Sequence, residues 1–283
     1  MPNIHRRYLA EVFGTFILVF FGCGAVHAAV LLDAHKGLWQ VAIVWGIAVM
    51  IACYLFGGIS GAHLNPAVTV ALAAWGRFSP RDVLPYILGQ MVGAYLAAAA
   101  LFVFFEPFLT AKELEKQVKR GEPGSEVTAM CYGEYFPNPG GFAAEKGPLD
   151  LSAFAAAQSK YSLQRAFFVE LLGTAVLGLV VFGVTDPRNT AVPDRLAPVF
   201  IGLTVTVLIS VIAPLTQSCF NPARDLGPRL FASMAGWGEI AWPTGAGMKF
   251  LWVYLVAPIA GAVLGGGLYT LRITHDLPPR AVS

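Results

Sequence analysis

Six stretches of this chain are long and apolar enough to leave little freedom in how they fold: roughly 8–31, 38–56, 83–105, 163–185, 196–215 and 250–271. About 20 apolar residues in an α-helix span a bilayer core of ~30 Å, and backbone polar groups in hydrocarbon must be satisfied within the segment. The chain is 56% hydrophobic and 13% charged, whereas a soluble domain carries about 25% charged residues. The sequence therefore predicts an all-α, multi-pass membrane protein. The first stretch carries Glu11 early and lacks a clear small-residue cleavage site, so it reads as a span and not as a removable leader.

Charge narrows the function classes. A net charge of +2 leaves no footprint for a nucleic-acid partner. Cys23, Cys53, Cys131 and Cys219 have no CxxC or His-paired spacing, so neither a metal site nor a redox pair is expected. The sequence offers no nucleophile–base pair or phosphate loop, and no cofactor is implied; an enzyme is not the expectation. Arg6 and Arg7, Arg77 and Arg81, Arg188 and Arg195, and Arg272 and Arg280 share one side if every stretch crosses. The positive-inside tendency then puts both termini in the cytoplasm.

The two halves repeat each other. The first span begins E-V-F-G-T-F at Glu11 and the fourth begins E-L-L-G-T-A at Glu170. At nearly the same distance after each Glu comes Asn-Pro-Ala: Asn65, Pro66, Ala67 in S-G-A-H-L-N-P-A-V-T-V, and Asn221, Pro222, Ala223 in S-C-F-N-P-A-R. Asn is a good N-cap and Pro suits the first helical turn, so each triplet predicts a loop turning into a helix. Only ~12 to 15 residues follow before Arg77–Pro80 and Gly236–Pro243 end them, roughly 18 to 22 Å of helix. That is too short to cross a core of about 30 Å. An odd number of crossings separates the copies, so the second sits upside down, an inverted repeat. Two re-entrant half-helices entering from opposite faces can meet near the midplane, which implies a pore. The expected organisation is one channel domain over 1–283: a first repeat at 1–105, a long outer loop at 106–162 and an inverted repeat at 163–272. That loop is expected to be a solvated cap with a short helix over Lys112–Lys119.

On these motifs, together with N-P-A-R-D-L-G-P, the chain resembles the aquaporin and glycerol-facilitator family over nearly its whole length. The resemblance favours the glycerol-conducting branch, whose typical markers are met by Phe136, Asp225, Arg229, Pro258 and Ile259. It implies a passive channel for glycerol, water and other small uncharged solutes in the plasma or inner membrane, built as a homotetramer. Asn65 and Asn221 would offer amide donors to the solute at the midplane. Trp45, Ile209, Ser218 and Arg224 would form the selectivity filter, with the Trp45 ring an apolar face opposite the Arg224 donors. Familiar bacterial glycerol facilitators have an aromatic at the position of Ser218, so a wider, more polar filter is expected here. Gly61, Ala62, His63 and Leu64 would line one vestibule, and carbonyls of Gln217, Ser218 and Cys219 the other. Glu11 and Glu170 would anchor the two re-entrant loops.

Three alternatives stay open on sequence alone. A water-preferring or a metalloid- or sulfide-conducting relative is compatible with Ser218 and Ile209. An ion-coupled secondary transporter would also suit an inverted repeat. Against the transporter, no further intramembrane cluster of Asp, Glu or Lys is available to couple ions.

Overall fold

Each apolar stretch folds as a helix, and the helix starts follow the local chemistry. Asn3 Oδ1 accepts from the Arg6 amide at 3.0 Å, and Ser162 Oγ from the Arg165 amide at 3.3 Å, side-chain caps of the expected kind. In a computed structural model describing residues 3–35, 37–142, 147–193, 195–243 and 247–277, the helices run in chain order as follows. They are α1 (Ile4–Leu32), α2 (Leu38–Ser60), α3 (Pro66–Ala74), α4 (Val83–Glu115), α5 (Glu126–Ala129), α6 (Leu151–Lys160), α7 (Leu163–Val184), α8 (Ala197–Thr216), α9 (Pro222–Ala232) and α10 (Ala257–Leu268). π-Helical turns extend α10 at both ends, so the final crossing is Trp252–Ile273. Among the described residues six helices are long and apolar enough to cross a membrane, and α3 and α9 are the two short ones that the Asn-Pro-Ala triplets start. Arg280, one of the orientation markers, lies outside the described residues.

The crossings pair through glycine. A Cβ on Gly93 of α4 would fall 2.2 Å from the carbonyl oxygen of Val12 in α1, and one on Gly261 of α10 2.2 Å from that of Leu171 in α7. Val12 and Leu171 each follow the glutamate that opens a repeat, so the same close contact occurs in both halves. Small residues at such crossings let helices approach without a hydrophobic force to push them together. The half-helices exchange partners: α3 packs on α10 and α9 on α4, each against the opposite half. Trp75 Nε1, at the end of α3, donates to the Val263 carbonyl of α10 at 2.8 Å. The outer surface is apolar, with Phe13, Val103, Phe168, Val211 and Leu264 exposed, as a hydrocarbon solvent requires. Polar side chains face inward: Glu11, Gln90, Glu170, Asp225 and Arg229 are fully buried.

The outer connection differs from expectation. Residues 124–135 are buried and do not form a solvated cap. Lys112 to Glu115 make the last turn of α4, and no separate helix covers Lys112–Lys119, because the chain reverses at Gln117 with φ 55°. The charges that suggested solvent are satisfied inside. Glu113 accepts from Arg120 Nε at 3.0 Å and from Thr128 Oγ1 at 2.9 Å, Trp237 Nε1 donates to the same hydroxyl at 3.0 Å, and the Arg120 guanidinium lies 4.5 Å from the Trp237 ring centre.

Candidate pore and outer constriction

The two half-helix starts are tied to each other. Asn65 Oδ1 caps its own helix by accepting from Ala67 N at 2.8 Å, and its Nδ2 donates to the Phe220 carbonyl at 2.8 Å. Asn221 does the same in mirror fashion, accepting from Ala223 N at 3.1 Å and donating to the Leu64 carbonyl at 2.7 Å. An amide NH₂ has two hydrogens. One hydrogen of each is therefore spent on the opposite loop, and one is left for whatever occupies the space between.

The loops that enter these helices are bent into conformations that side chains seldom adopt: Ala62, Leu64, Gln217, Ser218 and Phe220 all have positive φ. Buried carboxylates hold them there. Glu11 accepts from Ser60 Oγ (2.7 Å), His63 N (3.0 Å), Leu64 N (2.7 Å) and Gln90 Nε2 (2.7 Å). Glu170 accepts from Thr216 Oγ1 (2.5 Å), Cys219 N (3.0 Å) and Phe220 N (3.0 Å). Tyr86 and Tyr254 complete the correspondence, their hydroxyls donating to the Ser60 and Thr216 carbonyls.

The Glu-x-x-Gly-Thr repeat thus has a physical meaning that its sequence alone does not give. The Glu turns the amides before Asn outward. The Gly leaves room for the side chain before Asn: a Cβ on Gly14 would meet Leu64 Cδ2 at 2.5 Å, and one on Gly173 would meet Phe220 Cε1 at 2.3 Å.

A cavity of about 270 Å³ runs between the loops. It is bordered by Asn65 and Asn221 in the middle, and by Trp45, Ile209, Ser218 and Arg224 at one end. Gly61, Ala62, His63, Leu64 and Cys219 also border it. Gln217 does not: its side chain turns away and accepts from the Tyr135 amide at 2.7 Å. Pro66, Ala67, Pro222 and Ala223 are buried in the helix starts, outside the lining. His63 stacks edgewise on Phe78 with ring centres 4.5 Å apart, and its Nδ1 meets Thr69 Oγ1 at 3.2 Å. The end away from Arg224 is bordered by Thr185, Ala197 and Pro198. Next to Thr185, Asp186 accepts from Arg188 Nη2 at 2.7 Å and from Arg77 Nη2 at 3.1 Å. These hydrogen bonds, those of Arg188 above all, hold its carboxyl at about 2, below the usual range.

The outer end departs from the expected arrangement. The guanidinium carbon of Arg224 lies 4.2 Å from the centre of the Trp45 ring, so the two are stacked and do not face each other across an opening. The ring also meets α1, where a Cβ on Gly22 would fall 2.2 Å from Trp45 Cε3. Arg224 also forms an ion pair with Glu134, whose second carboxylate oxygen has no partner among the described residues. Glu134 comes from the buried outer connection. Its amide donates to Asp225 Oδ1 at 2.8 Å, and Arg229 Nη2 donates to its carbonyl at 2.6 Å. Asp225 and Arg229 therefore fix the residue that pairs with Arg224. Phe136 meets Tyr254 edge-on with ring centres 5.7 Å apart, Pro258 is buried in α10, and Ile259 packs on the core.

Sequence reasoning missed Glu134, Gln90, Gly22 and Phe220. A lone amide in an apolar span was the available signal for Gln90, and an acidic residue two positions before the Phe of Phe-Pro-Asn-Pro the one for Glu134. Among the described residues no cluster of His, Cys, Asp and Glu could hold a metal ion.

Comparison with known proteins bears on this geometry. The family model described as major intrinsic protein matches residues 1–269. The chain belongs to the major intrinsic protein family. Within it, the chain is 38% identical to the glycerol uptake facilitator protein of Pseudomonas aeruginosa, over 99% of this chain and 93% of that protein. It is 37% identical to the protein of the same name from Haemophilus influenzae, over 98% and 97%. A propanediol uptake facilitator from Citrobacter freundii is 36% identical over 98% and 95%. Among solved structures, the aquaglyceroporin from Plasmodium falciparum matches with a TM-score of 0.77 at 25% identity, over 96% of this chain and 97% of that one. Members of this family are passive transporters, so this major intrinsic protein is a channel and not an enzyme.

Proposed function

We propose that the chain conducts glycerol and other small uncharged solutes, water among them, along the cavity between α3 and α9. The observation that carries this reading is the reciprocal tie of Asn65 and Asn221, which leaves one amide hydrogen of each beside the cavity. These donors, together with the positive ends of two half-helices and Arg224, oppose cations and interrupt a proton wire, the account generally given for aquaporin-type pores. Trp45, Ile209, Ser218 and Arg224 act as the filter, and Glu11 and Glu170 as anchors of the loops. Gly61, Ala62, His63 and Leu64 form the vestibule. Residues 1–105 and 163–272 are the two inverted halves, with 106–162 on the outer side. The distribution of basic residues in the short loops supports cytoplasmic termini, and the family resemblance supports a homotetramer in the plasma or inner membrane.

Stopped-flow light scattering on proteoliposomes tests this. Protein-dependent fluxes of water and glycerol that rise linearly with the gradient are expected. Saturation at low concentration, or a need for an ion gradient, would replace the channel with a transporter.

A further inference from the structure

We infer that the protein seats one anionic phospholipid in each leaflet, its phosphate between two basic side chains at the mouth of an apolar groove. Arg6 and Arg81 head the groove where α1 crosses α4, and Arg165 and Lys249 the one where α7 crosses the last span.

Helical spacing defines the first groove. Arg6, Leu9 and Phe13 recur at i, i+3 and i+7 on α1, and Arg81, Leu84 and Leu88 do so from the turn at Pro80–Asp82 into α4, so each trio shares one helix face. All six are exposed, the apolar four by 49% to 64%. Arg7 donates to Asp82 at 2.7 Å, which brings their neighbours Arg6 and Arg81 to the same end of the crossing. Deeper along it, Phe20 meets Phe104 edge-on with ring centres 5.8 Å apart. Leu9 to Phe20 is roughly 16 Å of helix, about one leaflet of a ~30 Å core. That length fits an acyl chain, not a soluble anion.

The second half repeats the arrangement. Arg165 stands five residues before Glu170, as Arg6 does before Glu11, and Lys249 twelve before Gly261, as Arg81 does before Gly93. Ala166 and Phe250, at the positions of Arg7 and Asp82, share one buried cluster, so the register of the crossing is the same. Arg165, Lys249, Phe168, Leu172 and Trp252 are exposed. Three crossings separate α1 from α7, so this groove opens at the opposite membrane face. A positive-inside bias accounts for basic residues at one face only. Their recurrence at both faces points to a ligand that both leaflets hold.

Charge narrows the ligand further. Among the described residues no carboxylate pairs with any of the four basic side chains, and Asp82 is already held by Arg7. Cations without an acidic partner, above an apolar groove on which their stems can lie, complement a phosphate joined to acyl chains. A zwitterionic lipid brings its own cation to the same place and gains less.

Native mass spectrometry of the purified protein, titrated in detergent with phosphatidylglycerol or with phosphatidylcholine of the same chains, tests this. Two phosphatidylglycerol molecules per protomer should bind in preference to phosphatidylcholine. Arg6→Gln with Arg81→Gln should weaken one of them by about thirtyfold, as loss of two surface basic residues implies, and Arg165→Gln with Lys249→Gln should weaken the other. Arg6→Lys with Arg81→Lys keeps the charge and should keep the lipid. Lys119→Gln with Arg195→Gln removes as much charge away from the grooves and should leave both lipids bound. Equal affinity for the two lipids, loss of the lipid in the lysine pair, or the same loss in the Lys119 and Arg195 pair as in the groove pairs overturns the inference.

Discussion

Asn65 donates to the carbonyl of Phe220 at 2.8 Å, across 155 positions of sequence. The same side chain caps α3 through its oxygen. Asn65→Ala removes both bonds, a cap of ~1 kcal/mol and a buried hydrogen bond of similar size. We predict a loss of about 2 kcal/mol in stability and a drop in solute flux. Thermal unfolding in detergent, run beside liposome flux, measures both, and an unchanged melting temperature would remove the tie from the account.

Glu11 accepts four hydrogen bonds and donates none. Glu11→Gln turns one oxygen into a donor that faces donors, at a cost of roughly 1–3 kcal/mol. The prediction is lower stability and lower flux, because the strained loop at Ala62 and Leu64 loses its anchor. Full activity in this variant would show that the loop holds its shape without the carboxylate.

Much of this was legible beforehand. Length and apolarity gave the six crossings, and Asn-Pro-Ala at matched distances from two glutamates gave the half-helices and their inversion. What stayed hidden depends on partners far away in sequence. The charges of Glu113, Arg120 and Glu134 look solvated one at a time, yet the two glutamates are buried and the arginine half-buried because each finds a partner only in the folded chain. Stacking of Arg224 on Trp45 joins α9 to α2, and no local pattern encodes which face of an aromatic ring is covered. Gly22 reads as an ordinary helix glycine until Trp45 is placed beside it.

Gly22→Ala therefore tests the placement of Trp45. A methyl group there would have to displace the ring, at an overpacking cost of about 1–3 kcal/mol. The expected outcome is a folded protein with altered selectivity between glycerol and larger polyols. If selectivity is the same as in the unchanged chain, the ring position does not govern the outer end.

Arg224 and Glu134 are a buried pair, and removing one partner leaves the other uncompensated, typically at ~3–5 kcal/mol. Arg224→Ala and Glu134→Gln should each destabilise strongly, and the double variant by less than the sum. Arg224→Ala should also admit larger or charged solutes. Additive destabilisation in a double-mutant cycle would mean that the two side chains do not interact.

Asp186 joins the end of α7 to Arg77 beyond α3. Its folded-state value of about 2 lies below the ordinary value of 3.8. A depressed carboxyl contributes stability that is complete above its unfolded value and is lost as pH falls through the folded one. Stability should therefore decline between roughly pH 4 and pH 2, and Asp186→Asn should flatten that decline. An identical acid profile in the variant would assign the loss to other carboxylates.

The exchange of partners between halves reaches beyond permeation. Asn65 finds its acceptor only in the Phe220 loop, Asn221 only in the Leu64 loop, and each half-helix packs on the last crossing of the other half. A chain whose second half is threaded the wrong way round leaves both Asn amides without their acceptors, while each strained loop keeps only the carboxylate of its own half. The midplane tie thus makes the two halves interdependent: neither Asn amide is satisfied until both halves are in place with the right relative orientation.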